Sequence, residues 1–141
     1  MLRATEGSGC RHTEGTMAAR TPEDLDRLFT EHMAAGDVDA IVALYEPGGV
    51  LVSAEGVPTT GHAAIRAALA RLAAMRPTMT MNVRRVVRTA DDLAVVYNDW
   101  KMAAVDPNGR EVTMAGKAIE VSRRQGDGWW LFAVDDPFAR G

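Results

Sequence analysis

The fold is decided by the stretch from residue 61 to residue 88, which reads GHAAIRAALARLAAMRPTMTMNVRRVVR. Its first half places Ile65, Leu69 and Leu72 at helical spacing, which predicts a helix over residues 61–75 with one buried face. After the proline that follows, apolar and polar residues alternate with the period of two that is typical of a half-buried strand. The stretch therefore marks the point where a helical half of the chain gives way to a stranded half.

The chain beyond this stretch continues the strand pattern. Turn sequences rich in Asp, Asn and Gly separate its apolar runs, and such turns join antiparallel neighbours. The stranded half thus predicts a meander of four long strands, over residues 78–88, 92–105, 110–124 and 129–137.

The chain before this stretch predicts two more helices and a short strand. Thr21 and Pro22 are typical of a helix start, and Gly36 is typical of a helix end. Asp37 can cap a second helix, whose apolar side runs to Tyr45 and which Pro47-Gly48-Gly49 would end. A short strand is expected over residues 50–52.

This order of elements predicts an α+β domain. We expect three N-terminal helices packed on a curved antiparallel sheet of four long strands plus a short one, in the shape of a cone. A curled sheet closed on one side by helices leaves a cone-shaped cavity suited to a small molecule. Apolar residues on the other sheet face would be candidates for a homodimer interface.

Composition limits the class of protein. The chain has 141 residues and a mass of 15.2 kDa, which corresponds to one domain. The net charge of -3 disfavours nucleic-acid binding, and no apolar run is long enough to span a membrane. Cys10 has no partner for a disulfide, and no secretory signal is found, so we expect a cytoplasmic protein. Residues 1–20 are expected to form a disordered or loosely held tail before a domain over residues 21–138.

Three segments carry a resemblance to a known family. Residues 36–45 read GDVDAIVALY, residues 61–66 read GHAAIR, and residues 130–138 read WLFAVDDPF. They resemble the GDxxAxxxLY helix, the opening of the third helix and the last strand of the NTF2-like superfamily, in its SnoaL-like and DUF4440 branch with a ketosteroid-isomerase-like fold. The resemblance implies a cystatin/NTF2-like cone. The resemblance covers residues 22–138 and implies the fold more than an activity, because the fold hosts isomerases, cyclases, hydratases and non-catalytic association modules.

The resemblance also implies where ketosteroid isomerases would carry their catalytic groups. The base of those enzymes corresponds to Ser53, the tyrosine to Phe29 and the second acid to Lys117. Ser53 has no usable basicity and Phe29 has no hydrogen to donate. Steroid isomerase chemistry by that route is therefore disfavoured.

Hairpin geometry predicts a different site. A last turn centred on Gly126-Asp127 would set Lys117 opposite Asp135, and the preceding turn would add Asn98 on the same face, with Trp100 nearby. A slip of one residue would reverse the faces. We predict Asp135 as a catalytic acid/base and Lys117 as a charge stabiliser, with a plain cross-strand ion pair as the alternative.

The remaining site predictions are substrate-binding residues. To Asn98 and Trp100 we add four others, namely Phe29, His32, Tyr45 and Ser53. His32 lies on the apolar face of the first predicted helix. The chain shows no zinc-ligand spacing and no Gly-rich nucleotide motif, so we expect neither a metal nor a cofactor.

Two functions remain open. The first is a homodimeric small-molecule-binding protein that catalyses cofactor-free isomerisation, cyclisation or dehydration of a small apolar substrate by proton transfer. The alternative is a ligand-binding or association module without turnover, whose cavity its own side chains fill. An open cavity of a few hundred Å³ would favour the first and a plugged one the second.

Overall fold

The structure, a computed structural model, describes residues 18–139, which form three helices packed on one face of a six-stranded sheet. In chain order the elements are α1 Pro22–Ala35, α2 Val38–Val42, β1 Tyr45–Val52, β2 Pro58–Thr60, α3 His62–Ala74, β3 Thr78–Arg88, β4 Leu93–Val105, β5 Glu111–Arg124 and β6 Trp130–Asp136. This α+β architecture agrees with the expected class, although several details differ.

The sheet has the order β2-β1-β6-β5-β4-β3. Its neighbours are antiparallel except β1 and β6, which are parallel, so the sheet is mixed and not purely antiparallel as expected. Three strands are long, namely β3, β4 and β5, whereas β6 has only seven residues. Two strands, β1 and β2, take the place of the single short strand that was expected. Local turn sequences could not show the pairing of β1 with β6, because about 80 residues separate the two strands.

The second helix is shorter than predicted. It ends at Val42, and Tyr45 opens β1 instead of continuing the helix. Pro47 and the two glycines lie inside this strand, where the register between β1 and β6 shifts. At Gly49 a Cβ atom would come within 3.2 Å of the Phe132 carbonyl oxygen, so glycine allows the two backbones to approach.

The first helix begins as predicted. Thr21 accepts a hydrogen bond from the Asp24 backbone N–H, and the Asp24 carboxylate accepts one from the Thr21 backbone, which completes a capping box. Gly36 ends the helix in a left-handed conformation. These contacts fix both ends of α1.

Most of the expected tail, residues 1–17, lies outside the described residues. Within its described end, Ala19 is buried and forms an isolated antiparallel bridge to Trp130. Within residues 18–139, no helix is long and apolar enough to cross a membrane.

Both long hairpins have a register different from the one predicted. Asp99, not Asn98, lies opposite Lys117, because the turn between β4 and β5 closes from Asp106 to Arg110 and contains an odd number of residues. In the next hairpin Glu120, not Lys117, lies opposite Asp135, after a five-residue turn and a bulge near Val121. The predicted pairing of Lys117 with Asp135 is therefore wrong.

Candidate functional site

A cavity of about 220 Å³ lies between the helices and the inner face of the sheet. Its wall is mainly apolar, and four methionines contribute flexible side chains that can adapt to the shape of a ligand. Four polar residues, including two carboxyl groups, complete the wall. The lining residues are Phe29, Leu51, Val52, Ser53, Thr59, Ala68, Leu69, Leu72, Met79, Met81, Trp100, Met102, Met114, Ala118, Glu120, Asp135, Pro137 and Phe138.

Asp135 reaches this wall from β6 and is only 5% exposed. The hydroxyl of Tyr45, which is fully buried behind the cavity, donates a 2.6 Å hydrogen bond to its Oδ2 atom. Burial raises the pKa of Asp135 to about 7, against the opposing effect of the Tyr45 hydrogen bond, and the negative charge of Asp26 adds to the increase. Asp135 can therefore both accept and return a proton near neutral pH.

Glu120 faces the same cavity from β5, directly opposite Asp135 in the strand register. It is 3% exposed, its Oε2 atom accepts a 3.0 Å hydrogen bond from Asn98 Nδ2, and its Oε1 atom has no partner among the described residues. Burial raises the pKa of Glu120 well above its usual range, and the neighbouring Asp26 and Asp135 raise it further. Burial therefore favours the protonated form of Glu120, which can donate a hydrogen bond.

Asp26 completes the group from α1. It is buried, and its Oδ2 atom accepts a 3.1 Å hydrogen bond from the same Asn98 nitrogen. Burial also raises the pKa of Asp26, and the neighbouring Glu120 and Asn98 side chains partly oppose this rise. Asn98 and Asp26 lie behind the cavity wall and do not line it.

The sequence reasoning missed Asp26 and Glu120. Asp26 lies beside the apolar stripe of α1, three residues before Phe29. Glu120 lies in the inward-facing row of β5, between Ala118 and Ser122. A carboxyl group at a position where the period predicts an apolar residue is the signal that could have found both.

Three of the predicted binding residues line the cavity, namely Phe29, Trp100 and Ser53. Trp100 is held by a 2.7 Å hydrogen bond from its Nε1 atom to the Pro137 carbonyl oxygen. The Ser53 hydroxyl accepts hydrogen bonds from backbone N–H groups of the following turn, so it also shapes the cavity edge.

The other predicted site residues lie elsewhere. Tyr45 and Asn98 are buried behind the wall and act on the cavity through Asp135 and Glu120. His32 lines a separate cavity of about 230 Å³ beside Trp130, and burial lowers its pKa. The Lys117 side chain lies on the outer sheet face, is 68% exposed and pairs with Asp99 at 3.3 Å. The structure therefore does not bring Lys117 or His32 to the main cavity.

Within residues 18–139, no three His, Cys, Asp or Glu side chains are placed so that they could hold a metal ion. The polar chemistry of the cavity rests on a buried tyrosine, a buried amide and three carboxyl groups.

Solved structures with the same architecture come from several bacteria. A protein from Xanthomonas campestris assigned as a calcium/calmodulin-dependent protein kinase II association domain is 23% identical, with a TM-score of 0.75 and 84% of each chain covered. A ketosteroid isomerase-like protein from Erwinia carotovora is 19% identical, with a TM-score of 0.70 over 81% of this chain and 89% of that one. A Novosphingobium aromaticivorans protein assigned as a scytalone dehydratase is 16% identical, with a TM-score of 0.74 over 83% and 80%.

These identities are low enough that the similarities show the fold alone. No curated protein matches the chain significantly. The family assignment comes instead from a sequence-family model described as a SnoaL-like domain, which matches residues 25–132. Because this match spans most of the chain, and the solved structures share the same architecture, the chain belongs to the SnoaL-like domain family of the NTF2-like superfamily.

Proposed function

We propose that this protein catalyses cofactor-free proton transfer on a small, neutral, largely apolar substrate, with Asp135 as the base and Glu120 as the acid. The observation that carries the proposal is the position of two buried carboxyl groups, directly opposite each other in the strand register, on the wall of an apolar cavity. Their surroundings differ, because the Tyr45 hydroxyl donates to Asp135 and stabilises its carboxylate, whereas the negative charges of Asp26 and Asp135 favour the protonated form of Glu120. This difference suits Asp135 to accept a proton and Glu120 to donate one.

The reaction follows from this difference. The Asp135 carboxylate removes a proton from the carbon next to a substrate carbonyl, and the C–H electron pair becomes the double bond of an enol. The carbonyl oxygen takes up the Glu120 proton in the same step, so the substrate stays neutral and the negative charge passes from Asp135 to Glu120. Return of the Asp135 proton to the same or another carbon, with the enol proton going back to Glu120, completes an exchange or an isomerisation.

The open cavity supports turnover over the alternative of a plugged binding or association module. Trp100 and Met102 line the space instead of filling it, and about 220 Å³ is enough for a compact bicyclic molecule. The Tyr45 hydrogen bond holds the Asp135 carboxyl in place, which matters because proton transfer requires a fixed distance between base and substrate.

The first test is solvent deuterium exchange into neutral ketones from cyclohexanone to 2-tetralone, followed by proton NMR at neutral pH. We expect the protein to accelerate loss of the α-hydrogens over buffer by about 100-fold or more, the usual minimum for a positioned general base. Asp135→Asn should return the rate to that of buffer while keeping the folded structure, which circular dichroism checks. Lys117→Met should keep the full rate, because this side chain lies outside the cavity.

The contrary result is equally clear. If none of the ketones exchanges faster than in buffer, or if Asp135→Asn exchanges as fast as the wild type, the proposed reaction is wrong.

The anion 2-naphthoate serves as a size-matched control and should not bind by fluorescence titration, because the described lining contains two carboxyl groups and no Lys, Arg or His.

We also propose that two copies pair through the outer face of the sheet, opposite the helices. The register aligns Val95, Val121 and Val134 in a row across three strands, and Tyr97 lies beside Ile119. These side chains are only half-buried in one chain. A second copy would cover this row in the manner of a two-fold interface.

A further inference from the structure

The carboxyl group of Asp26 is buried on α1 although it does not touch the cavity. It is 3% exposed, and its Oδ1 atom has no hydrogen-bond partner among the described residues. No hydrogen bond or ion pair joins it to a Lys, Arg or His side chain within residues 18–139. An isolated carboxylate in such a place would be strongly unfavourable, so its negative charge needs another form of relief.

That relief is supplied by Asn98 and Glu120. A single amide nitrogen, Asn98 Nδ2, donates to Asp26 at 3.1 Å and to Glu120 at 3.0 Å, which uses both of its hydrogens. Asn98 is completely buried, so its amide cannot turn to water instead. Each acid also keeps one buried oxygen without a partner among the described residues, namely Asp26 Oδ1 and Glu120 Oε1. Two carboxylates can only accept hydrogen bonds, so a proton shared by the pair would relieve both acids at once.

We propose that Asp26 is a positioning residue that shares one proton with Glu120 beside the Asn98 amide, and so keeps Glu120 supplied as the proton donor of the cavity. The use of that proton rests on the proposed function. The sharing itself is a property of the resting protein and can be measured without a substrate.

The groups around the pair make a shared proton more favourable. Glu23 on the same helix and Asp135 on β6 both add negative charge, which opposes full ionisation of the pair. Tyr45 on β1 is directed to Asp135 and donates its hydrogen there. Asn98 on β4 is thus the neutral donor that holds the two acids together.

The first measurement uses the wild-type protein, labelled with ¹³C at the carboxyl carbons of Asp and Glu and titrated by NMR. We expect the Asp26 and Glu120 signals to move together, each responding in the same two steps, as interacting acids do. Two independent single-step curves, or an Asp26 that stays ionised over the whole range while Glu120 titrates alone, would refute the shared proton.

The second measurement compares Asp26→Asn with Glu31→Gln, which removes an exposed carboxylate from the same helix. In Asp26→Asn we expect Glu120 to titrate in one step, at a pH about one unit or more below its upper wild-type step, because a like charge and the shared proton are gone. Glu31→Gln should leave both steps in place. A Glu120 curve in Asp26→Asn that matches the wild type would overturn the proposal.

The two proposals fail separately. If the wild type shows coupled titration but exchanges no ketone, the shared proton stands and the proposed reaction falls. If ketones exchange through Asp135 while Asp26 and Glu120 titrate independently, the reaction stands and the positioning role falls. Should Asp26→Asn not fold, the wild-type titration decides the question by itself.

Discussion

Asp135 and Asp136 are neighbours in the sequence but lie on opposite faces of β6. Asp135 points inward to the cavity wall, whereas Asp136 pairs with Ile119 on the outer face. The inward position removes water from the Asp135 carboxyl and raises its pKa from 3.8 to about 7. The face of the strand on which a carboxyl group lies therefore decides which of these two neighbours can act as a base at neutral pH.

The raised pKa of Asp135 makes stability depend on pH. The folded protein holds the Asp135 proton to a higher pH than the unfolded chain does, so the free energy of unfolding falls as the pH rises from 3.8 to about 7. The loss from this group is about 4 kcal/mol at pH 8 relative to low pH, because each tenfold difference in acidity between the folded and unfolded states corresponds to about 1.4 kcal/mol. Urea unfolding between pH 5 and 8 should show somewhat more than half of this loss, because the rest occurs below pH 5.

The matched variant for this prediction is Asp135→Asn. Its free energy of unfolding should change less with pH than that of the wild type, and a residual slope of the same sign should remain, because the pKa values of Asp26 and Glu120 are also raised. A wild-type stability that rises with pH over this range, or an equal slope in the variant, would contradict the assignment of a buried, raised pKa to Asp135.

At the scale of elements, the turn lengths decide which side chains meet. The sequence reasoning found β3, β4 and β5 nearly at their observed bounds, because alternation and turn residues are local signals. It missed the register, because one extra residue in a turn or a bulge moves every side chain of a strand to the other face. Lys117 was consequently placed in the cavity, and Glu120 was overlooked.

Gly116 on β5 shows how closely two elements pack at the cavity. A Cβ atom at this position would lie 2.9 Å from Trp100 Cζ2 and 3.0 Å from the Pro137 carbonyl oxygen, which accepts the Trp100 hydrogen bond. We expect Gly116→Ala to displace the indole and lower the free energy of unfolding by about 1–3 kcal/mol, the usual cost of overpacking. Denaturant unfolding tests this.

Gly126→Ala is the control, since a Cβ atom there would meet nothing within 4 Å. It should change stability by less than about 0.5 kcal/mol. Equal stability of the two variants would mean that the indole does not rest against the Gly116 backbone.

At the scale of the whole molecule, the two faces of the sheet have different roles. Helices cover the inner face and enclose the cavity, while the apolar row on the outer face stays half-exposed in one chain. If two copies pair through that row, sedimentation should show a dimer at micromolar concentration, and Val121→Asp should convert it to a monomer by placing charges at the centre of the interface.

Val105→Asp is the control for the dimer, because this residue is already exposed at the end of β4. It should remain dimeric. A wild-type protein that sediments as a monomer, or a Val121→Asp variant that stays dimeric, would show that the outer face does not join two copies.

The helical and stranded halves and the family could be read from the sequence, because each depends on short-range periodicity or on local motifs. Asp135 was a candidate from the sequence, but the register that paired it with Lys117 was wrong, and the folded structure was needed to show what surrounds its carboxyl group. Asp26 on α1, Asn98 on β4 and Glu120 on β5 are far apart in the chain, and packing of the helix against the sheet brings them together. Their burial and mutual charge set their protonation, and neither quantity exists until the chain is folded.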